Sequence, residues 1–179
     1  RSSNGSYLVV RAREARETMS EKTRRIADAL DARILLELVR QPRSTVAGLA
    51  QRLQVARNTA QARLTRLEDE GLHSFDHRVD TAGLGYPLRA HVLANLKQRK
   101  LDQVGAELAR IPEVLEVIGV SGTADTMIQV VARDTDDLYR IAGRILSIPG
   151  VKRTRTLVSM KQMVEYRVTP LLRRTIAKR

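Results

Sequence analysis

The amino-acid sequence predicts an α+β protein with an N-terminal three-helix helix-turn-helix domain and a C-terminal ferredoxin-like βαββαβ domain. Two patterns carry this prediction. Residues 28–70 contain three short amphipathic segments in succession, and residues 90–151 contain a strand–helix–strand pattern twice. A chain of 179 residues is long enough for two such domains.

Composition narrows the classes of partner and site. The net charge of +12 and the isoelectric point near 10.9 favour polyanionic partners and leave acidic small substrates open. The chain has no cysteine, which excludes disulfides, thiolate nucleophiles and zinc fingers and fits a reducing compartment. No apolar run reaches the length of a membrane span, so no membrane partner is expected. His73, His77 and His91 match no common metal motif, and no metal or cofactor is expected.

Residues 1–23 are expected to be a disordered leader that is either native or an expression remnant, because the segment is polar and turn-forming apart from a short apolar run at residues 7–10. Met19 is a candidate native start. A basic arm that lies on DNA, formed by Arg11, Arg13 and Arg16, is the alternative.

The N-terminal domain is predicted over residues 24–74. Its first helix is expected over residues 28–39, where the apolar side chains fall on one face at helical spacing, and Pro42 stops it. Ser44 then offers a hydroxyl cap for a second helix over residues 45–53.

A turn at residues 54–55 leads to a third helix over residues 57–70, which Gly71 ends. The side chains expected to point inward are Ala60, Leu64 and Leu67. The side chains expected to face outward on this helix are Asn58, Gln61, Ala62 and Thr65. The small Ala50 in the second helix lets the third helix approach closely.

The charge on this helical pair favours duplex DNA. From Leu38 to Leu67 there are six arginines and no acidic residue, and neutralising phosphates releases condensed counterions. Amide side chains can pair with adenine edges, and arginine can reach guanine or phosphate. The alternative is an ordinary solvated helix. The predicted DNA-binding residues are Arg43, Ser44, Thr45, Arg57, Asn58, Thr59, Gln61, Ala62, Arg63, Thr65 and Arg66.

A base-stacking platform for single strands is not expected, because the chain has no tryptophan and a single phenylalanine, Phe75. Residues 75–86 are predicted to be a linker with a possible strand over residues 74–79. Residues 87–170 form the predicted C-terminal domain, and residues 171–179 are predicted to be a basic tail that either touches DNA or is disordered.

The internal repeat defines the C-terminal domain. The pattern that starts at Leu101 returns at Leu138, and in each copy an amphipathic helix ends at Ile-Pro and a strand follows. Two helices can cover only one face of the resulting antiparallel sheet. The segments at residues 127–132 and 114–118 are nonetheless apolar on both sides, which predicts that two sheets pack face to face in a homodimer. The alternative is an ordinary edge of a monomeric core.

The residues from Leu30 to Leu171 resemble the leucine-responsive/asparagine-responsive (Lrp/AsnC, feast/famine) family of transcriptional regulators. Each matching piece is weak alone, but their order and spacing make the resemblance specific. The pieces are Leu30-Asp31-x-x-Ile34-Leu35, Leu49-Ala50, Arg63-Leu64-x-Arg66-Leu67-Glu68-x-x-Gly71, Leu84-Gly85, Pro112-x-Val114, Gly122-x-x-Asp125 and Pro149-Gly150-Val151 with Thr154 and Thr156.

The resemblance implies a sequence-specific, double-stranded-DNA-binding regulator that is bacterial or archaeal, cytoplasmic and nucleoid-associated. It also implies a homodimer that assembles further, often to an octamer, with an amino acid or related small metabolite bound between dimers. The effector-binding positions that it implies are Val120, Ser121, Gly122, Thr123, Ala124, Asp125, Thr154 and Thr156. Asp125 would hold an ammonium group; the alternative is that residues 122–125 are only a tight turn.

The chain departs from the family pattern at several positions, including Leu72-His73, where Val-Ile is usual. Gln54 stands where glycine is favoured in the turn, Ala56 replaces the serine that caps the third helix, and Thr126 stands where tyrosine is common. Gln54 predicts strain in the turn before the third helix, and Ala56 predicts that this helix lacks a side-chain cap.

Three other functions agree less well with the sequence. An architectural protein that wraps DNA with weak sequence preference and no effector would also suit the basic charge. An acylphosphatase-type enzyme would need an arginine beside an anion-cradling loop, and residues 119–122 have none nearby, so no catalytic residue is predicted. An allosteric subunit of a metabolic enzyme would not need a recognition helix.

Overall fold

In a computed structural model the chain is described at residues 28–70, 72–73 and 75–177. The expectations for residues 1–23 and for Gly71 therefore lie outside the described residues. The chain forms two compact units, of which one joins the N-terminal helices to a C-terminal helix and the other spans Phe75–Glu165. Within the described ranges, no helix is long and apolar enough to cross a membrane.

Helix α1, Ala29–Arg40, begins at a reciprocal cap. The Asp28 carboxylate accepts hydrogen bonds from the backbone N–H groups of Leu30 at 2.8 Å and Asp31 at 3.0 Å. The Asp31 carboxylate in turn accepts from the N–H of Asp28 at 2.9 Å. These bonds satisfy N–H groups that a helix start leaves without partners, and they confirm the predicted first helix.

Helix α2, Val46–Leu53, is capped one residue later than predicted. The Thr45 hydroxyl accepts from the N–H of Gly48 at 3.1 Å. The Ser44 hydroxyl instead donates to the Gln41 carbonyl at 2.8 Å and accepts from Arg52 at 2.6 Å. The predicted Ser44 cap is therefore wrong, because this hydroxyl closes the preceding turn.

The turn into helix α3, Arg57–Glu70, requires an unusual backbone conformation. Gln54 has φ 56° and ψ 48°, and it is the only non-glycine residue with positive φ in the described part of the chain. A side chain in this left-handed region is strained by about 1–2 kcal/mol. The strain predicted for Gln54 is therefore present.

The first unit has a small apolar core between α1, α2 and α3, formed by Ile34, Leu53 and Leu67. Its C-terminal helix, α6 at Thr169–Ala177, packs against α1. The segment predicted as a basic tail is thus mostly a packed helix; Lys178 and Arg179 lie outside the described residues. Half-buried Leu172 and Ile176 are one helical turn apart and give α6 an apolar side.

The second unit confirms the ferredoxin-like fold. Its elements in chain order are β1 Leu88–Leu96, α4 Leu101–Leu108, β2 Val114–Gly119, β3 Thr126–Ala132, α5 Thr135–Leu146 and β4 Val151–Val158. The sheet is antiparallel with strand order β2-β3-β1-β4. Helices α4 and α5 pack on one face, where Val92, Ile128 and Ile141 are fully buried.

The linker contains turns instead of the possible strand over residues 74–79. Short 3-10 helices occupy Phe75–Arg78 and Ala82–Leu84. The Asp80 carboxylate accepts from the N–H of Ala82 at 3.1 Å, and this local bond favours a turn. The possible strand is therefore wrong.

We expect Gln54→Gly to stabilise the protein by about 0.5–1 kcal/mol, since it removes left-handed strain at some cost in chain entropy. Thermal unfolding should show a midpoint a few degrees higher. Gln51→Gly, an exposed position inside α2, is the control and should cost about 1 kcal/mol. A lower midpoint for Gln54→Gly would show that the turn is not strained.

Candidate DNA interface and effector site

The outward face of α3 is polar and free of bulky apolar groups. Asn58, Gln61, Ala62 and Thr65 are exposed, whereas Ala60 and Leu67 are buried. The Gln61 amide donates to the Thr65 hydroxyl at 3.3 Å, so the two side chains lie side by side one turn apart. Arg57 and Thr59 are exposed at the start of the helix. Such a face can enter a major groove without steric obstruction.

Two of the arginines predicted to contact DNA turn toward α1 instead. Arg63 donates to Asp28 at 2.6 Å and to Asp31 at 3.2 Å, and Arg66 donates to the same Asp31 oxygen. The Asp31 side chain is fully buried, so these guanidinium groups neutralise a carboxylate that has no access to water. In the DNA-free protein Arg63 and Arg66 are thus engaged with α1, and their contact with phosphates stays a prediction.

The groups around Asp28 also lower the pKa of its carboxyl group. The backbone N–H of Asp31 and the guanidinium of Arg63 lower the pKa of Asp28 from 3.8 to about 2, against an opposing effect of burial. Because the pKa is lower in the folded state, this carboxylate stabilises the fold above pH 3.8. That contribution is lost as the pH falls toward 2.

The other arginines of the charged stretch divide into two groups. Arg40 and Arg52 both pair with Glu37, at 3.0 Å and 3.1 Å. Arg43 and Arg57 are exposed and form no ion pair with any residue that the structure describes. The carboxylates that pair with these arginines are Asp28, Asp31 and Glu37, which lie in α1 or at its start. Arg43 and Arg57 are therefore the arginines of this stretch that a phosphate could bind without first breaking an ion pair seen in the described residues.

The loop between β2 and β3, residues 120–125, is fastened to the end of β1. The N–H of Asp125 donates to the Ala94 carbonyl at 3.0 Å, and the Asp125 carboxylate accepts from the N–H of Leu96 at 2.9 Å. The Asn95 amide donates to the Thr123 carbonyl at 3.0 Å. The Asp125 carboxylate thus ties the loop to β1, and its predicted contact with an ammonium group stays a prediction. Among the other loop positions, Val120 is half-buried, Ser121 and Gly122 are exposed and Ala124 is buried.

A buried hydroxyl lies beside this loop. Thr126 and Thr154 both pair with Ala94 in neighbouring strands, so their side chains share one face of the sheet. The Thr126 hydroxyl oxygen is buried without a hydrogen-bond partner in the described structure, and Thr154 is half-buried. Thr156 pairs with Val92 one step further along β4 and is exposed.

Thr126 was not among the predicted effector-binding positions, because nothing in the sequence marks its hydroxyl as buried. An unpaired buried hydroxyl is a position where a ligand can supply the missing partner. In the described ranges, no group of three or more histidine, aspartate or glutamate side chains could hold a metal ion.

The open face of the sheet is partly apolar. Leu93 pairs with Met127, Met127 pairs with Ile118, and His91 pairs with Leu157. Ile118 and Leu157 remain substantially exposed, and the polar side chains on this face include Arg153, Arg155, Gln129 and Glu116. The face is thus less uniformly apolar than the sequence predicted.

Two family models match the chain. The Lrp/AsnC ligand binding domain matches residues 89–169, and a winged helix-turn-helix DNA-binding model matches residues 28–72. The chain is 27% identical to the HTH-type transcriptional regulator FL11 of Pyrococcus horikoshii, over 80% of this chain and 96% of that protein. It is 34% identical to an uncharacterised HTH-type transcriptional regulator of the same organism, over 79% and 92%.

Solved structures give the same picture. E. coli AsnC superposes with a TM-score of 0.71 at 25% identity, covering 81% of this chain and 99% of that one. A feast or famine regulatory protein from M. tuberculosis, complexed with L-methionine, has a TM-score of 0.67 at 26% identity and covers 78% and 96%.

We expect Arg57→Ala to weaken binding to a duplex of random sequence and to reduce the slope of log affinity against log salt by about 0.9, since one phosphate contact is lost. Arg66→Ala should leave the slope unchanged and lower stability by about 2 kcal/mol, because the buried Asp31 loses a charged hydrogen bond. Fluorescence anisotropy across salt concentrations and thermal unfolding measure both. A reduced slope for Arg66→Ala at full stability would contradict this assignment.

We expect Thr126→Val to raise the unfolding midpoint of the ligand-free protein, since an unpaired buried hydroxyl costs about 1–3 kcal/mol. Thr156→Val, at an exposed position on β4, should change stability by less than about 0.5 kcal/mol. A destabilised Thr126→Val variant would show that this hydroxyl already has a partner.

Proposed function

Because the chain belongs to the Lrp/AsnC family of DNA-binding transcriptional regulators, we propose that it regulates transcription by sequence-specific binding to duplex DNA. The observation that carries this proposal is the outward face of α3. It presents two amide side chains, Asn58 and Gln61, on a helix that ion pairs fix to α1. Amides can form paired hydrogen bonds with adenine in the major groove.

The remaining DNA contacts in the proposal surround this face. Arg43 and Arg57 neutralise phosphates, and Thr59 and Thr65 lie within the same exposed surface. Thr45 and Ser44 shape the turn before α2 through their hydrogen bonds. A protein that binds duplex DNA in this way would be associated with the nucleoid.

We further propose that an amino acid or related small metabolite controls this activity, with no other cofactor. The relative from M. tuberculosis was solved with L-methionine, which supports an amino-acid effector. In this chain the contacts would come from the exposed loop tip at Ser121, Gly122 and Thr123 and from the unpaired Thr126 hydroxyl. Asp125 would act by holding the loop in place.

We propose that two copies form a homodimer in which their open sheet faces contact each other. Such dimers would then assemble into larger closed oligomers, such as an octamer. Leu93, Met127, Ile118 and Leu157 supply the apolar part of that face. Burying apolar surface between copies is favourable by about 25 cal/mol per Å². An effector bound between dimers would then couple assembly to DNA binding.

An architectural DNA-wrapping protein is the second candidate, and the net charge of +12 favours it. Such a protein would bind all sequences with similar affinity and would need no effector. We do not propose catalysis, because the family consists of transcriptional regulators and residues 119–122 contain no arginine for an anion cradle.

We expect Asn58→Ala and Gln61→Ala to relax preference at particular base pairs by about 1–3 kcal/mol, while the salt slope stays that of the parent. The measurement is binding to the duplex that the parent selects from a random pool and to its single-base variants. Asp69→Ala, at an exposed position near the end of α3, is the control. Equal affinity of the parent for all duplexes would favour the architectural alternative.

We expect an amino acid to raise the unfolding midpoint of the parent and to raise that of Thr126→Val by less. The screen uses L-methionine first and then the other amino acids. Thr135→Val, at an exposed position at the start of α5, is the matched control and should retain most of the shift. A full shift in Thr126→Val would remove this hydroxyl from the proposed site.

A further inference from the structure

The open face of the sheet, which lies away from α4 and α5, carries opposite charges at its two margins. Strand order places β2 at one margin and β4 at the other. Glu116 of β2 lies on the open face because it pairs with Gln129, which alternates with the buried residues of β3. Arg153 and Arg155 of β4 lie on the same face, because the residue between them pairs with the buried Ala94. One margin is therefore acidic and the other is basic.

The charged groups at the margins are available to another molecule. Glu116, Arg153 and Arg155 are exposed, and none of them forms an ion pair with a residue in the described part of the chain. Arg89 also lies on the open face, but at the start of β1, where Asp80 is 3.9 Å away. The margins therefore hold charges that a surface of complementary charge could neutralise.

The register fixes where each group stands on the open face. Cross-strand pairs form rows that run from β2 to β4. One row contains Ile118, Met127, Leu93 and Arg155, and the neighbouring row contains Glu116, Gln129, His91 and Leu157. Glu116 and Arg155 thus stand at opposite margins in neighbouring rows, with the apolar pair of Leu93 and Met127 between the margins.

Two-fold symmetry allows two copies to pack these faces as an aligned sandwich in two ways. When the symmetry axis runs along the strands, β2 of one copy lies over β4 of the other. When the axis runs across the strands, each strand lies over its own counterpart in the other copy. The charges at the margins distinguish the two arrangements.

The arrangement with the axis across the strands brings like charges together. Arg153 and Arg155 would meet the same two arginines of the partner, and Glu116 would meet its own counterpart. Like charges that face each other across an interface are strongly unfavourable. The arrangement with the axis along the strands instead places Glu116 near Arg155 of the partner subunit and Leu93 over Met127 of the partner subunit. Opposite charges and apolar groups then meet.

We propose that the homodimer has its two-fold axis along the strands and that Glu116 of each copy pairs with Arg155 of the partner subunit. This inference rests on the proposed homodimer and specifies how its two sheets are oriented. Neighbouring rows are about 7 Å apart along a strand, and packed sheets are about 10 Å apart. A glutamate and an arginine that extend toward each other can bridge this span. Because the symmetry is two-fold, the ion pair forms twice.

An axis along the strands also determines where the two linkers enter the dimer. Such an axis keeps the direction of every strand, so Leu88, the first residue of β1, lies at the same end of the dimer in both copies. Both linkers then reach the sheets from one end. This suits a regulator whose two DNA-binding units bind two half-sites of one duplex.

Charge reversal in the full chain tests the pairing. Glu116→Arg and Arg155→Glu should each raise the dissociation constant of the dimer by about tenfold or more, since each variant places like charges at both contacts. The combination of the two reversals should restore most of the affinity of the parent. Glu70→Arg, at an exposed position at the end of α3, is the control for the change in net charge and should leave the dissociation constant unchanged. Analytical ultracentrifugation over a range of protein concentrations measures this constant. Arg155→Gln, which should also weaken the dimer, is the second variant if Arg155→Glu does not fold.

Crosslinking tests the orientation without altering the charges, and the chain has no cysteine of its own to react. A mixture of Ile118→Cys copies and Leu157→Cys copies should form covalent dimers with a short bis-maleimide, because β2 lies over β4 of the partner. Neither variant alone should crosslink, since the two copies of each position then lie at opposite margins of the sandwich.

Other outcomes would contradict separate parts of this proposal. Crosslinking of Leu157→Cys alone, with unchanged affinity after either charge reversal, would place β4 over β4 and overturn the orientation while the homodimer stands. Single reversals that weaken the dimer and are not restored in combination would overturn the pairing of Glu116 with Arg155. A dimeric parent whose variants give no crosslink would show that the dimer uses another surface. A parent that sediments as a monomer and still binds duplex DNA would overturn the homodimer and its orientation but not the proposed regulation of transcription.

Discussion

The buried carboxylate of Asp31 is the constraint on which the N-terminal domain depends. A charge without access to water must be paired, and here Arg63 and Arg66 approach it from α3 while the N–H of Asp28 approaches from its own helix. Asp31 thereby fixes the rotation of α3 about its axis, because both arginines must point toward α1. Asn58 and Gln61 are left exposed on α3.

The second unit also contains a buried carboxylate that is paired with arginines. Asp137 on α5 is buried and accepts hydrogen bonds from Arg133 and Arg140, and Arg140 also bonds Glu113 at 2.6 Å. Chiefly through Arg133, these guanidinium groups hold the pKa of Asp137 well below its usual range. Arginine is suited to both clusters because its planar fork can serve two oxygens at once. Part of the positive charge of the chain thus serves to pair buried carboxylates and order helices.

Local patterns in the sequence were sufficient for most elements. Helical and strand periodicity gave all three N-terminal helices and the ferredoxin-like order, since burial of alternate or helically spaced residues depends mainly on nearby positions. The roles of Arg63 and Arg66 could not be found this way, because their partner Asp31 is more than thirty residues earlier. Helix α6 was missed because its packing against α1 joins segments that are far apart in the sequence, and the burial of the Thr126 hydroxyl becomes evident only in the fold.

The role proposed for Asp31 is to hold α3 so that Asn58 and Gln61, and not Arg63 and Arg66, meet DNA. The most direct measurement is a crystal structure of the protein bound to a duplex that it has selected from a random pool. We expect Asn58 and Gln61 to lie within hydrogen-bond distance of base edges in the major groove. Arg63 and Arg66 should remain ion-paired with Asp31. A complex in which Arg63 and Arg66 leave Asp31 for phosphates, or in which α3 lies outside the groove, would contradict it.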